Sequence, residues 1–142
     1  MENLAAELDQ LHIDHTQAFS RIAGVLAQNG ESGVLIWLSR RNAETYATDI
    51  IEHFGLTPGR VANIVKRLET RGDIRRLQDR EDLRRVRIYL TDQGTARAGT
   101  LFEEMHEAHA RLLRELGESQ AREMLLLLRR YLGASEESRT AS

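Results

Sequence analysis

The chain has 142 residues, of which 41% are hydrophobic and 30% charged, with a formal charge of −2; that is the size of one domain, or of one domain with a helical annex, apolar enough for a core and too apolar for disorder. It contains no cysteine, which excludes disulfides, thiolate nucleophiles, cysteine-held metals and cysteine redox sensing. No apolar run is long enough to span a membrane, and MENLAAELDQ lacks the basic and apolar regions of a signal peptide, so a cytoplasmic protein is expected.

Leu4, Leu8, Leu11, Phe19, Ile22 and Leu26 recur at helical spacing and predict a first helix from about Asn3 to Gln28. At about 1.5 Å per residue it is longer than a lone small core needs. Asn29–Gly30 breaks it. A second helix over about Glu31 to Asn42 carries the nearly unbroken run Val34 to Leu38, the mark of burial on several sides. A third, about Thr45 to Phe54, turns Ile50, Ile51 and Phe54 inward and ends at Gly55. Thr57 then offers an N-cap and Pro58 a first helical residue whose missing N–H costs nothing. Val61, Ile64, Val65 and Leu68 form the buried stripe of this fourth helix, so Arg60, Asn63, Lys66 and Arg67 project outward. Two helices joined by a short turn containing glycine, the second with outward polar side chains, make a helix-turn-helix.

Gly72 stops that helix, and the β-prone runs Ile74–Leu77 and Val86–Leu90 flank an arginine-rich tip, which predicts a hairpin and hence a winged module. From Thr57 to Leu90 there are ten Lys or Arg against five Asp or Glu, a local charge of +5, so the rest of the chain sums to −7. A basic helix and hairpin on an otherwise acidic chain is the electrostatic footprint of a nucleic-acid reader. A long helix follows from about Thr95 to Leu116, striped by Leu101, Met105, Ala108, Leu112 and Leu116. Gly117 ends it, and Ser119 is expected to cap the last helix, with Arg122 at the reciprocal position where a capping box has Glu. Met124 to Leu128, Tyr131 and Leu132 give that helix more apolar surface than one neighbour covers, and the polar tail from Gly133 is expected to fray.

The expected class is mainly α (α+β): an N-terminal dimerisation helix (1–30), a winged helix-turn-helix module (31–94), C-terminal dimerisation helices (95–133) and a flexible tail (134–142). The surplus apolar faces call for a second copy of the chain. A two-fold dimer would set two recognition helices roughly 34 Å apart on palindromic double-stranded DNA.

The order of elements resembles the MarR family of bacterial transcriptional regulators over nearly the whole chain. The specific part is the wing, where Gly72, Ile74, Arg76, Asp79, Asp82–Leu83–Arg84, Val86–Arg87–Ile88 and Leu90–Thr91–Asp92–Gln93–Gly94 fall in the family's register without a gap. Asp73 departs from a usual apolar residue, Gln78 from a usual proline and Leu83 from a common second arginine.

Arginine donates two bonds to guanine and asparagine pairs similarly with adenine, so Thr57, Arg60, Asn63 and Arg67 are expected at the major groove and Lys66 at a phosphate. Gly59 would let the helix N-terminus approach a phosphate. Arg84 is expected in the adjacent minor groove, its guanidinium held by Asp82 through a charge-assisted bond, and the resemblance implies the same roles for this pair. Arg80 and Arg85 are phosphate contacts or solvated. The resemblance further implies a repressor that releases DNA when a small molecule binds beside the winged lobe. His15, Phe19, Trp37, Arg41 and His109 are the residues expected to line that cleft.

His12/His15 and His106/His109 are i, i+3 pairs, and Glu103-x-x-His106 matches one unit of di-iron bundles. His106-Glu107-Ala108-His109 is one residue short of a zinc-protease motif. No ligand set is complete, so no metal or cofactor is assigned, and a metal-responsive regulator stays an alternative. His53 is expected at the surface of the third helix. No Ser-His-Asp spacing or Gly-rich phosphate loop supports an enzyme. A winged-helix protein-interaction module without DNA binding is the other alternative.

Overall fold

A computed structural model describes residues 1–15, 17 and 30–140. In chain order these form α1 (Glu2–Asp14), α2 (Glu31–Arg40), β1 (Thr45–Tyr46), α3 (Ala47–Phe54), α4 (Pro58–Thr70), β2 (Ile74–Gln78), β3 (Val86–Leu90), α5 (Asp92–Leu116) and α6 (Glu118–Thr140). The chain divides into two compact units, residues 1–103 and 104–142, with the boundary inside α5. Among the described residues no helix is long and apolar enough to cross a membrane.

The core of the first unit is built from the predicted stripes. Val34, Leu35 and Leu38 of α2 meet Ile50 of α3, Val61, Ile64, Val65 and Leu68 of α4, Ile74 and Ile88 of the hairpin, and Ala98 of α5. The three strands form an antiparallel sheet in the order β1-β3-β2. β3 pairs with β2 through Ile74↔Leu90 and Gln78↔Val86, and on its other edge with β1 through Thr45↔Ile88 and Tyr46↔Arg87.

Local chemistry sets the boundaries. The Thr57 hydroxyl accepts from the Arg60 N–H at 3.3 Å, with Pro58 next in line. α4 closes with a Schellman motif: Gly72, at φ +83, donates to the Glu69 carbonyl and Asp73 to that of Leu68. The Leu-Thr-x-x-Gly run is a lock between this closure and α5. The Thr91 hydroxyl donates to the Gly72 carbonyl at 2.5 Å and accepts from the Gly94 N–H at 3.0 Å. The Thr91 N–H reaches the Asp73 carbonyl, and a Cβ on Gly94 would collide with that same carbonyl oxygen. Asp73 itself is fully buried, with Arg97 at 2.9 Å and Gln93 at 3.3 Å on its two carboxylate oxygens. The acid that replaces the family's apolar residue is therefore paired on arrival.

Several expectations are corrected. The third helix starts at Ala47, because Thr45 and Tyr46 extend as β1 against β3. The first helix ends at Asp14, where His15 leaves helical geometry at φ −120°; Phe19, Ile22 and Leu26 lie outside the described residues. Ser119 does not cap the last helix. That helix starts at Glu118 after Gly117 (φ +78), and Arg122 bonds Glu118 at 2.6 Å. The last helix runs on to Thr140, with Ala134, Glu136, Glu137 and Arg139 as the good helix formers of that segment.

In the second unit, the last part of α5 turns at Gly117 into α6, where Ala121 is buried. Leu125 to Leu128, Tyr131 and Leu132 are largely exposed. In the first unit, α1 buries none of its residues, leaving Leu4, Leu8 and Leu11 exposed as well.

Candidate nucleic-acid interface

The outward face of α4 carries Arg60, Asn63 and Lys66, all exposed. A shallow concavity of about 430 Å³ runs along the helix between Asn63, Lys66, Arg67, Thr70 and Arg71. Thr57 spends its hydroxyl on the cap. At Gly59 an added Cβ would meet nothing within 4 Å, so no packing inside the described protein demands glycine there.

Arg67 differs from its expected freedom. Its guanidinium bonds Glu31 at 3.1 Å, and Arg71 holds the other oxygen of the same carboxylate at 2.7 Å. Glu31 is buried at the first turn of α2, where the helix dipole favours an acid. At the neighbouring Gly30 (φ +76) an added Cβ would meet the Ile64 side chain of α4 at 2.8 Å. One carboxylate thus pins two arginines of the recognition helix to α2, while half of Arg67 or more stays open to solvent.

The wing tip is held by Asp79, which is buried although it lies in a hairpin turn. Its Oδ1 accepts from the Glu81 N–H at 2.8 Å, and its Oδ2 accepts from the Tyr46 hydroxyl at 3.0 Å and Arg87 Nε at 3.2 Å. The Glu81 amide is the largest influence holding this carboxyl down at about 2, with the Tyr46 hydroxyl, the Asp82 amide and Arg87 adding to it against the opposing effect of burial. Burial and the bond to Asp79 push the Tyr46 phenol up. Arg87 also bonds Glu44 at 2.7 Å. Two departures from the family pattern meet here: the Gln78 amide donates to the Leu83 carbonyl at 3.1 Å, closing the tip where a proline would have stiffened it.

Asp82 does not hold the Arg84 guanidinium. Its carboxylate accepts the Arg84 backbone N–H at 3.0 Å, a local turn bond that a short aspartate makes readily. The Arg84 and Arg80 side chains have no partner among the described residues, whereas Arg85 lies over the Tyr46 ring at 3.7 Å and Arg76 bonds Glu69, lowering that carboxyl. Sequence reasoning assigned no role to Tyr46, Glu31 or Arg87. Only Glu31 carries a visible signal, an acid heading an otherwise apolar helix.

The expected ligand-cleft residues are partly brought together. The Trp37 ring stacks on His53 at 4.6 Å, meets Phe54 edge-on at 5.7 Å and carries the Arg41 guanidinium at 4.5 Å. Arg41 Nε is buried without a hydrogen-bond partner among the described residues. His53 is exposed, as expected, yet one ring face is covered. His15 is exposed at the end of α1, and His109 is exposed in the second unit. Phe19 lies outside the described residues. Among the described residues no three His, Cys, Asp or Glu side chains are grouped to hold a metal ion, the histidine and Glu103 candidates included.

A helix, a glycine turn, a basic helix and a sheeted hairpin define a winged helix-turn-helix protein. The MarR family model matches residues 30–86. A crystal structure of MarR superposes with a TM-score of 0.73 at 20% identity, covering 98% of this chain and 95% of that one. A MarR transcriptional regulator from Methanosarcina mazei Go1 gives 0.72 at 18% identity, covering 92% and 98%. S. aureus MepR in complex with DNA gives 0.66 at 22% identity, covering 84% and 97%. No curated protein sequence matches the chain significantly. The MarR family model thus covers the winged module, and the chain shares the fold of the MarR structures on which it superposes.

Proposed function

We propose that the protein is a dimeric, sequence-specific DNA-binding transcriptional repressor of the cytoplasm. The observation that carries this is the sorting of its cations. Arg71, Arg76, Arg87 and Arg97 are paired with acids, yet Arg60 and Lys66 on α4 and Arg80 and Arg84 on the wing project from the two elements that enter grooves in winged helices. Arg60 and Asn63 read bases, Lys66 and Arg80 bind phosphates, and Arg84 enters the minor groove. Arg67 contributes from its anchored position on Glu31, Arg85 contributes charge from the sheet, and Asp82 shapes the turn that carries Arg84. The exposed stripes of α1 and α6 support pairing of two copies. The MepR structure is itself a DNA complex, which agrees with this reading.

Selection of genomic fragments by purified protein tests it: a recovered palindrome is expected, and no enrichment would overturn the reading. On the selected site, Arg84→Ala is expected to weaken binding about 10–100-fold, with a steep loss of wild-type affinity as salt rises. Unchanged affinity at moderate salt would remove the wing from the interface. Gly59→Ala separates folding from binding. In open space and ordinary helical geometry the alanine stabilises the fold by about 0.5 kcal/mol, while its methyl group stands between the helix N-terminus and a phosphate, lowering affinity. A melting scan and an anisotropy titration check the pair, and a variant with full DNA affinity would place the phosphate elsewhere.

The effector is a planar aromatic acid that meets the Trp37 ring and the Arg41 Nε, which has no partner among the described residues. It modulates affinity by favouring one arrangement of the recognition helices over another.

A further inference from the structure

Arg84 and Arg85 are consecutive at the head of β3 and both exposed, yet the structure treats them differently. The Arg85 guanidinium sits 3.7 Å from the centre of the Tyr46 ring, whereas among the described residues Arg84 is engaged through its backbone N–H alone, by Asp82. Tyr46 is itself buried and fixed on three sides. Its N–H bonds Asp49 of α3 at 2.8 Å, its hydroxyl donates to Asp79 at 3.0 Å, and that hydroxyl accepts from Arg87 at 3.1 Å. Its backbone stands opposite Arg87 in the sheet register. A residue so held is a rigid platform, and the face of its ring attracts a guanidinium.

We propose that Tyr46 is a positioning residue for the DNA contact: its ring retains Arg85 on the sheet so that the wing presents Arg84 alone to the minor groove. This rests on the DNA-binding reading above. Two adjacent flexible arginines would compete for one narrow groove and bind any backbone they reached, which adds affinity without discrimination. Parking one of them leaves a single guanidinium, carried on a turn that Asp79 and Asp82 define. The ring does the parking and the hydroxyl braces the turn, so the two functions of Tyr46 separate by substitution.

Tyr46→Phe keeps the ring and Tyr46→Leu removes it. Discrimination is read as the ratio of affinities for the selected site and a scrambled duplex. Tyr46→Leu is expected to lower that ratio about fivefold, while Tyr46→Phe retains it. In an Arg85→Ala background Tyr46→Leu should change the ratio no further, because the residue it parks is gone. An equal loss in both backgrounds would show a merely structural role and overturn the proposal. Hydrogen exchange of the free protein supplies an arm that needs no DNA: amides of residues 80–86 should exchange faster in Tyr46→Leu than in Tyr46→Phe. Equal exchange in the two variants overturns the positioning role, whereas failure of the wild type to select any DNA overturns the DNA reading instead.

Discussion

Gly94→Ala is expected to destabilise the first unit by about 3–4 kcal/mol, the upper end of what overpacking one methyl group does. The new Cβ would collide with the Asp73 carbonyl oxygen. That oxygen has no room to retreat, since it accepts the Thr91 N–H at 3.0 Å and belongs to the residue whose carboxylate is buried against Arg97 and Gln93. Relief requires opening the junction between the end of α4 and the start of α5, which breaks the Thr91 bonds on both sides. With native stabilities of about 5–15 kcal/mol, the variant should melt roughly 10–15 °C lower. Gly99→Ala is the control on the same helix. A Cβ there meets nothing within 4 Å, so alanine should be neutral or stabilise by up to about 1 kcal/mol. Melting curves for both variants check this. Equal melting temperatures would mean that the glycine of the motif serves something other than close backbone approach.

Much of this fold is legible from period alone. The stripes of α2 and α4 and the alternation Val86, Ile88, Leu90 each repeat often enough to declare their elements, and all three contribute to one core. β1 is different. Two residues offer no alternation to count, and their strand character comes from pairing with Ile88 and Arg87, some forty positions on; propensity placed them in the helix they precede. The start of α6 at Glu118 differs from the sequence expectation for a related reason. Ser119 resembles a cap, but the left-handed Gly117 already provides the turn, and Glu118 prefers to pair with Arg122 one helical turn on.

At the interface, residue type announced which side chains can donate to DNA and said little about which are at liberty to do so. Arg67 and Arg84 are alike as letters, yet one is pinned by a buried glutamate from α2 and the other is unpartnered among the described residues. That distinction depends on contacts at a sequence separation of 36 residues, which no local pattern encodes. The brace on the wing likewise shifted from Asp82 to Asp79. The two acids are three residues apart in one turn, and only burial against Tyr46 and Arg87 tells them apart.

Asp79 therefore governs the second large effect. Asp79→Ala removes the acceptor for the Glu81 and Asp82 amides, the Tyr46 hydroxyl and Arg87 together, so the tip that carries Arg80, Arg84 and Arg85 loses its shape. DNA affinity should fall by at least the roughly 10–100-fold expected for a lost groove arginine. Asp79→Asn keeps the size and isolates the charge. The folded protein holds this carboxyl at about 2 against an ordinary 3.8, so folding favours the ionised form. The resulting stabilisation is complete above about pH 5 and is lost as pH falls from about 4 towards about 2. Wild type should thus melt above Asp79→Asn by a constant several degrees at neutral pH, and the gap should close on acidification through that window. Melting temperatures of both proteins from pH 7 to 2 measure it. A gap unchanged in acid would mean that the asparagine is harmful through its shape or its misplaced N–H groups, and that the Asp79 charge contributes nothing to holding the wing.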